Sequence, residues 1–175
     1  MSESNPRKRL LTQQEINLAQ NTIGNAIDWS KVQITNGKWW LIHPHAAMTC
    51  GNTIIFPKNY YQSDFSHSSK YNQAWLVHEL IHVWQYQHGF PILFAGFILA
   101  AKGGYYKRRA YRYGELSKIK AFGQLNMEQQ ARLIEHYFLA KHGDKRYAPL
   151  LPQYRRLLIP FFQQPHNRQL LPIYS

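Results

Sequence analysis

The stretch from Tyr71 to His88 constrains this chain more than any other. Trp75, Leu76, Val77, Leu80, Ile81, Val83 and Trp84 cover most of the circumference of an α-helix, and a helix apolar nearly all round has to be buried. Within it stand His78, Glu79 and His82, reading His-Glu-Leu-Ile-His. Residues four apart on a helix share a face one turn apart, so the two imidazoles can reach one Zn²⁺ ion at bond lengths of about 2.0–2.1 Å. Glu79 is rotated away from that ion and can take a proton from water, which makes it the candidate catalytic base. Two core histidines with an incidental glutamate would spell the same five letters. An unpaired ionised carboxylate is expensive in so apolar a helix, however, and this favours metal chemistry.

A third protein ligand has several candidates. His88 imitates a longer motif with a third histidine, but that motif breaks the helix with glycine where this chain has Gln85. In an unbroken helix His88 lies ~9 Å along the axis from His82 and about 120° round it, out of reach of the same ion and suited to the helix C-terminus. Glu128 opens a second helix and would complete a His₂Glu set, or else favour that helix's N-terminus by charge. Glu115 and His136 are further candidates, and Glu135 is assigned to pairing with Arg132. Tyr111, Tyr113 and His136 are candidate oxyanion donors or supporting residues.

The surrounding pattern predicts one domain over residues 11–163, between a basic tail at 1–10 and an extended tail at 164–175. Thr12 and Glu15 form a capping-box pattern before Ile16, Ala19, Ile23 and Ile27, with Gly24-Asn25 ending or bending that helix. Short strands are expected at Val32–Ile34, Lys38–Ile42 and Thr53–Phe56, with Cys50-Gly51-Asn52 turning between Ala46–Thr49 and the last of these. Residues 57–70 read as loop. Helices are expected at about 91–102, 127–142 and from Pro149 to Gln163, while 105–120 is ambiguous. The fold class is predominantly helical α+β, with a small antiparallel sheet packed near the His78–His82 helix.

Composition narrows the partners. The chain has 175 residues, 45% of them hydrophobic and 17% charged, which argues for a globular domain and against disorder. Lys and Arg number 21 against nine Asp and Glu, and fourteen of the 21 follow position 101. Such a surface draws anionic partners: nucleic acid, anionic lipid, acidic protein or cell wall. No nucleic-acid-binding motif accompanies the charge, so specific nucleic-acid binding is not expected. Cys50 is the one cysteine, which excludes an intrachain disulfide. The apolar run from Phe90 to Ala101 is too short for a membrane span. The first residues lack the apolar stretch of a cleaved signal, so synthesis in the cytoplasm and export by a signal-independent route are expected.

Several stretches together resemble the bacterial Vgr-related or Rhs-associated zinc peptidases that accompany type VI secretion. They are Leu11-Thr-Gln-Gln-Glu-Ile with Ala26-Ile-Asp-Trp-Ser-Lys-Val, Ala47-Met-Thr with Thr53-Ile-Ile-Phe-Pro, the block Trp75 to Gln87, and Asn126-Met-Glu-Gln-Gln-Ala. The resemblance implies a zincin-like, gluzincin-type metallopeptidase domain, with His78, His82 and Glu128 holding zinc and Glu79 as base. It also implies association with type VI (Vgr or Rhs) components, as an effector or processing enzyme. Where the family often carries an acidic residue that can orient a ligand, this chain has His136. Peptide, protein and peptidoglycan are the substrates expected of an amide-bond hydrolase with a basic surface. The competing reading is a non-catalytic, zinc-stabilised adaptor for secretion-system components.

Overall fold

A computed structural model describes residues 8–37 and 46–174. Five α-helices lie in these segments: α1 (Gln13–Ile23), α2 (Lys70–Gln87), α3 (Ile92–Ala101), α4 (Met127–Lys141) and α5 (Leu151–Gln163). Four short strands accompany them: β1 (Arg9–Leu10), β2 (Gln33–Asn36), β3 (Met48–Cys50) and β4 (Thr53–Phe56). The α+β expectation therefore holds. The strand expected at Lys38–Ile42 lies outside the described residues.

The sheet is mixed, not antiparallel. Its order is β1-β2-β4-β3, with β2 parallel to β4 and both outer pairs antiparallel. The parallel pair arises because β3 and β4 form a hairpin that returns β4 to the side of β2. Gly51 makes that turn possible with φ of 62°, a conformation glycine adopts at no steric cost. Ile34, Ile54 and Phe56 put the inner face of the sheet into the core, each fully buried.

The expected tails are also structured in part. Arg9 and Leu10 pair with Ile34 and Gln33. At the other end Leu170 is buried, and Ile173 N–H donates to Leu125 O at 3.2 Å. Gly123 allows this docking: a Cβ there would meet Gln169 O at 2.1 Å.

Helix α2 runs through the middle of the molecule. Ser69 caps its start, accepting from Asn72 N. Past its end Gly89 has φ of 90°, and Phe90 N–H reaches back to Gln85 O at 2.9 Å, the bond that closes a helix through a left-handed residue. Trp84 is fully buried against Phe122 and Phe161, and its indole N–H donates to Pro165 O at 2.8 Å. Helix α4 packs alongside α2, and Asn126 caps it with the reciprocal Gln129 bond. The ambiguous region 105–120 forms short 3-10 turns at Tyr106–Tyr111 and Leu116–Lys118.

The N-terminal segment is anchored by one buried charge. Glu15 is fully buried and accepts from the two terminal Arg9 guanidinium nitrogens at 2.7 Å, from Thr12 N at 2.8 Å and from Phe65 N at 2.8 Å. Removing the carboxylate strands a part-buried cation, a part-buried N–H at Thr12 and a buried N–H at Phe65, a loss that approaches the ~3–5 kcal/mol of a broken buried pair. Glu15→Ala should lower the urea midpoint by that equivalent; a change under about 1 kcal/mol would mean that Arg9 and β1 dissociate without loss to the core.

Candidate metal centre

Neighbouring turns of α2 place His78 and His82 beside each other, with ring centroids 5.1 Å apart. The first turn of α4 brings in Glu128. One ligand atom from each of these three buried residues lies within 4.8 Å of the others, so the group could hold a metal ion. Glu128 Oε2 is 3.4 Å from His78 Nε2 and 3.3 Å from His82 Nε2. Both separations exceed the ~2.7–2.9 Å of a charge-assisted hydrogen bond. The oxygen is buried yet in hydrogen-bonding geometry with neither imidazole. Three lone-pair donors thus converge without satisfying one another, as a cation between them would require.

The far side of each imidazole meets an acceptor. His78 Nδ1 is 2.9 Å from Glu135 Oε2, and Glu135 Oε1 accepts from Arg132 at 2.7 Å. His82 Nδ1 is 2.9 Å from Gln85 Oε1. The Gln85 amide is held in that sense because its Nε2 donates to Met127 O and Gln130 Oε1, both at 3.1 Å. Gln130 Nε2 in turn donates to Phe122 O and Leu170 O. With acceptors at both Nδ1 atoms, each neutral ring carries its proton there and turns a lone pair at Nε2 toward Glu128.

Electrostatics follow from this crowding. Burial works against a charged His78, but Glu128 and Glu135 outweigh it and push its pKa up to about 10. Burial likewise opposes a charged His82, and Glu128 raises its pKa. Glu128 is itself held far below the usual carboxylate range by the two histidines despite its burial. Glu135, also against the cost of burial, is brought down to about 2 by His78 and Arg132.

Glu79 is buried next to this group, and its Oε2 accepts from the Thr49 hydroxyl of β3 at 2.8 Å. Its charge acts on His78, His82, Tyr105 and Tyr111 alike. The Tyr111 ring centroid lies 6.0 Å from that of His78, and the Arg108 and Arg132 guanidiniums lie over the ring at 5.4 and 5.8 Å. Burial, Glu128 and Glu79 together raise the Tyr111 pKa. Tyr113 and His136 instead bond each other at 2.6 Å, and Tyr113 also meets Tyr154 at 3.0 Å. The His136 ring stacks on Tyr147, and burial lowers its pKa to about 4. These two residues line a neighbouring cleft of about 860 Å³.

Two other candidates fall elsewhere. His88 bonds Trp84 O and His166 at the end of α2, and Glu115 pairs with Lys118 on the surface. Three supporting residues emerge that the sequence reading did not assign. Tyr105 donates to Glu128 Oε1 at 3.0 Å. Gln85 orients His82. Glu135, expected to pair with Arg132 alone, also holds His78, so the orienting carboxylate stands one residue before His136. Its position seven residues after Glu128, two turns along the same face, was the available signal.

The likenesses to known proteins fall first on a class. Residues 22–90, which include the whole of α2, match the eCIS core domain. Beyond that class, the chain is similar to the type VI secretion system spike protein VgrG2b of Pseudomonas aeruginosa, 30% identical over 164 residues and 83% of this chain. It spans 15% of that protein's length. The fold resembles the solved effector domain of the same VgrG2b, with a TM-score of 0.66 and 25% identity over 90% of this chain and 83% of that one. These likenesses connect the chain to Vgr-related, secretion-associated proteins.

The charge pattern sets the pH response of the metal-free protein. The raised His78 pKa stabilises the fold fully below its ordinary value of 6.5, and that contribution is lost as pH rises through about 10. The lowered Glu135 pKa stabilises above its ordinary 4.5 and is lost as pH falls toward about 2. Chelator-treated protein should therefore melt at progressively lower temperature from pH 7 to pH 10. A metal ion held by His78, His82 and Glu128 would make the protein less sensitive there and would be released on acidification, as protons reclaim those groups. A melting temperature independent of pH from 7 to 10 after chelation would contradict the assigned coupling.

Proposed function

We propose that the chain is a zinc-dependent, zincin-like metallopeptidase of the gluzincin type, acting as a type VI secretion-associated effector. The observation that carries this reading is the convergence of His78, His82 and Glu128 with the Glu79 carboxylate beside them. Two imidazoles and one carboxylate are a donor set that holds catalytic zinc. A zinc ion there would polarise a substrate carbonyl and make water acidic enough to attack it near neutral pH.

The remaining chemistry belongs to the chain's own residues. Glu79 takes the proton that attacking water gives up and returns it to the leaving amine. Its bond from Thr49 orients the carboxylate but uses only one of about four acceptor positions, so capacity for that proton remains. Tyr105 and Tyr111 are protonated at neutral pH, as their raised pKa values require. Tyr105 gives its O–H to Glu128, whereas Tyr111, beside His78 and between two guanidiniums, is the better candidate to donate to a developing oxyanion. Glu135 and Gln85 hold the imidazoles in the required tautomer.

Two features favour a peptide-like, anionic substrate. Strand β3 carries Thr49 and is an edge of the sheet among the described residues, so its open side can take an extended chain as a further strand. The neighbouring cleft is lined by five basic residues (Lys107, Arg108, Arg112, Arg132 and Arg146) against one acidic residue, Glu115. Acidic protein segments and the carboxylate-rich peptides of the bacterial cell wall fit that lining.

Glu79→Gln should retain about one zinc per chain by elemental mass spectrometry and lose about 10²–10⁴-fold in hydrolysis of a peptide library or of purified peptidoglycan. Glu128→Ala should lose the metal as well. Full hydrolysis by Glu79→Gln would remove the assigned base. Wild-type protein that holds zinc, cleaves neither substrate and still binds secretion components would favour the adaptor reading.

A further inference from the structure

Helix α3 is apolar on two opposite faces, and only one of them is used. Ile92, Ala95 and Leu99 are buried in a small cluster with Phe90, Ala110 and Met127. On the other side Leu93, Phe94 and Phe97 are 58%, 59% and 71% exposed. At about 100° per residue, these three residues with Ala100 and Ala101 fall in one continuous stripe. Tyr174 extends the stripe: its ring stacks on Phe90 at 5.2 Å, meets Phe94 at 6.5 Å and is itself exposed. Isolated exposed apolar residues are ordinary, but a contiguous aromatic patch on one helix marks an interaction surface.

The charge around the stripe indicates what it meets. Between Glu79 and Glu115 there are thirty-five residues without an Asp or Glu, and five of them are basic. Lys102 follows the helix directly, and exposed Tyr105 and Tyr106 come next, with Lys107 and Arg109 lying over the Tyr106 ring at 5.4 and 5.5 Å. An apolar helix face, then tyrosines, then cations without a compensating acid is the order in which a lipid interface is layered: acyl chains, amphipathic boundary, anionic headgroups. A protein partner with a hydrophobic groove would not require so uniform a sign of charge. No helix among the described residues is long and apolar enough to cross a membrane, and α3, ten residues long, can lie in an interface but not span it.

We infer that the exposed face of α3, with the Lys102–Arg109 segment, docks this protein on the surface of an anionic lipid bilayer. The inference does not rest on the peptidase reading: Phe94, Phe97, Lys102 and Arg109, the residues that test it, are neither metal ligands nor the base, although Tyr105 in the same segment also bonds Glu128.

The test is flotation of the whole chain with vesicles of phosphatidylethanolamine and phosphatidylglycerol, beside phosphatidylcholine vesicles, at physiological salt. Wild-type protein should float with the anionic vesicles and at least ~10-fold less with the zwitterionic ones. Phe94→Ser with Phe97→Ser should reduce flotation at least ~10-fold, and Lys102→Glu with Arg109→Glu should do the same, while melting temperature and metal content stay at wild-type values. Absence of flotation in the wild type overturns the inference. So does unchanged flotation of the phenylalanine variant, which would reduce the effect to diffuse charge attraction. A wild-type dimer in sedimentation that the phenylalanine variant converts to monomer, without vesicle binding, would assign the face to a second copy of the chain.

Discussion

Everything at the candidate centre depends on α4 lying in register against α2, so that Glu128 Oε2 stands almost equally far from two imidazole nitrogens. A shift of one residue along α4 would rotate Glu128 by about 100° and remove it from the site. Apolar packing holds the two helices together, and a chain of buried polar contacts fixes the register. Gln85, fully buried, binds His82 on one side and Met127 O and Gln130 on the other. Gln130 binds the Phe122 and Leu170 carbonyls, so the same chain of amides orients His82, holds the start of α4 and docks the C-terminal segment. Buried amides are costly unless satisfied, and here each satisfies the next.

The charge inventory points the same way as the geometry. Glu79 and Glu128 are buried carboxylates, the part-buried Glu135 adjoins them through His78, and Arg132 is the guanidinium bound to Glu135. Two negative charges are left over, and the raised proton affinity of His78 and His82 answers them in the metal-free protein. A divalent ion between the three ligand atoms would cancel the same excess with both histidines neutral. The two supports are unequal: His78 leans on a carboxylate and His82 on a neutral amide.

Much of this could be read from the residues, because local rules governed it. The His78–His82 helix, its stop at Gly89, the caps at Thr12 and Asn126 and the turn at Gly51 depend on neighbours in sequence, and each lies within a residue or two of its expected place. Glu128 was legible as a candidate because it opens a helix, although nothing local brings that helix to α2. The mixed sheet was not legible, since the hairpin shows its turn in the sequence but not the side on which it joins β2. Glu135 was misread for a related reason. Its pairing with Arg132 three residues away is local, while its bond to His78 spans fifty-seven positions. Tyr105 was missed because the 105–120 segment has no periodicity. Lys107 and Arg108 adopt left-handed φ angles of 50° and 56°, which few side chains favour.

Those two residues connect the surface to the site. They stand between Tyr105, which bonds Glu128, and Tyr111, which lies beside His78 under the Arg108 guanidinium. Left-handed backbone at two consecutive non-glycine residues costs on the order of 1–3 kcal/mol each, and here it keeps the turn tight enough for both tyrosines to face the same buried cluster. Through Gly104, whose N–H reaches Leu99 O at 2.7 Å, the turn is also fixed to the end of α3. Any contact that restrains α3 and its basic flank therefore restrains the segment that presents Tyr105 and Tyr111. Surface docking and the geometry of the centre would then not be separate properties, because the same dozen residues carry both.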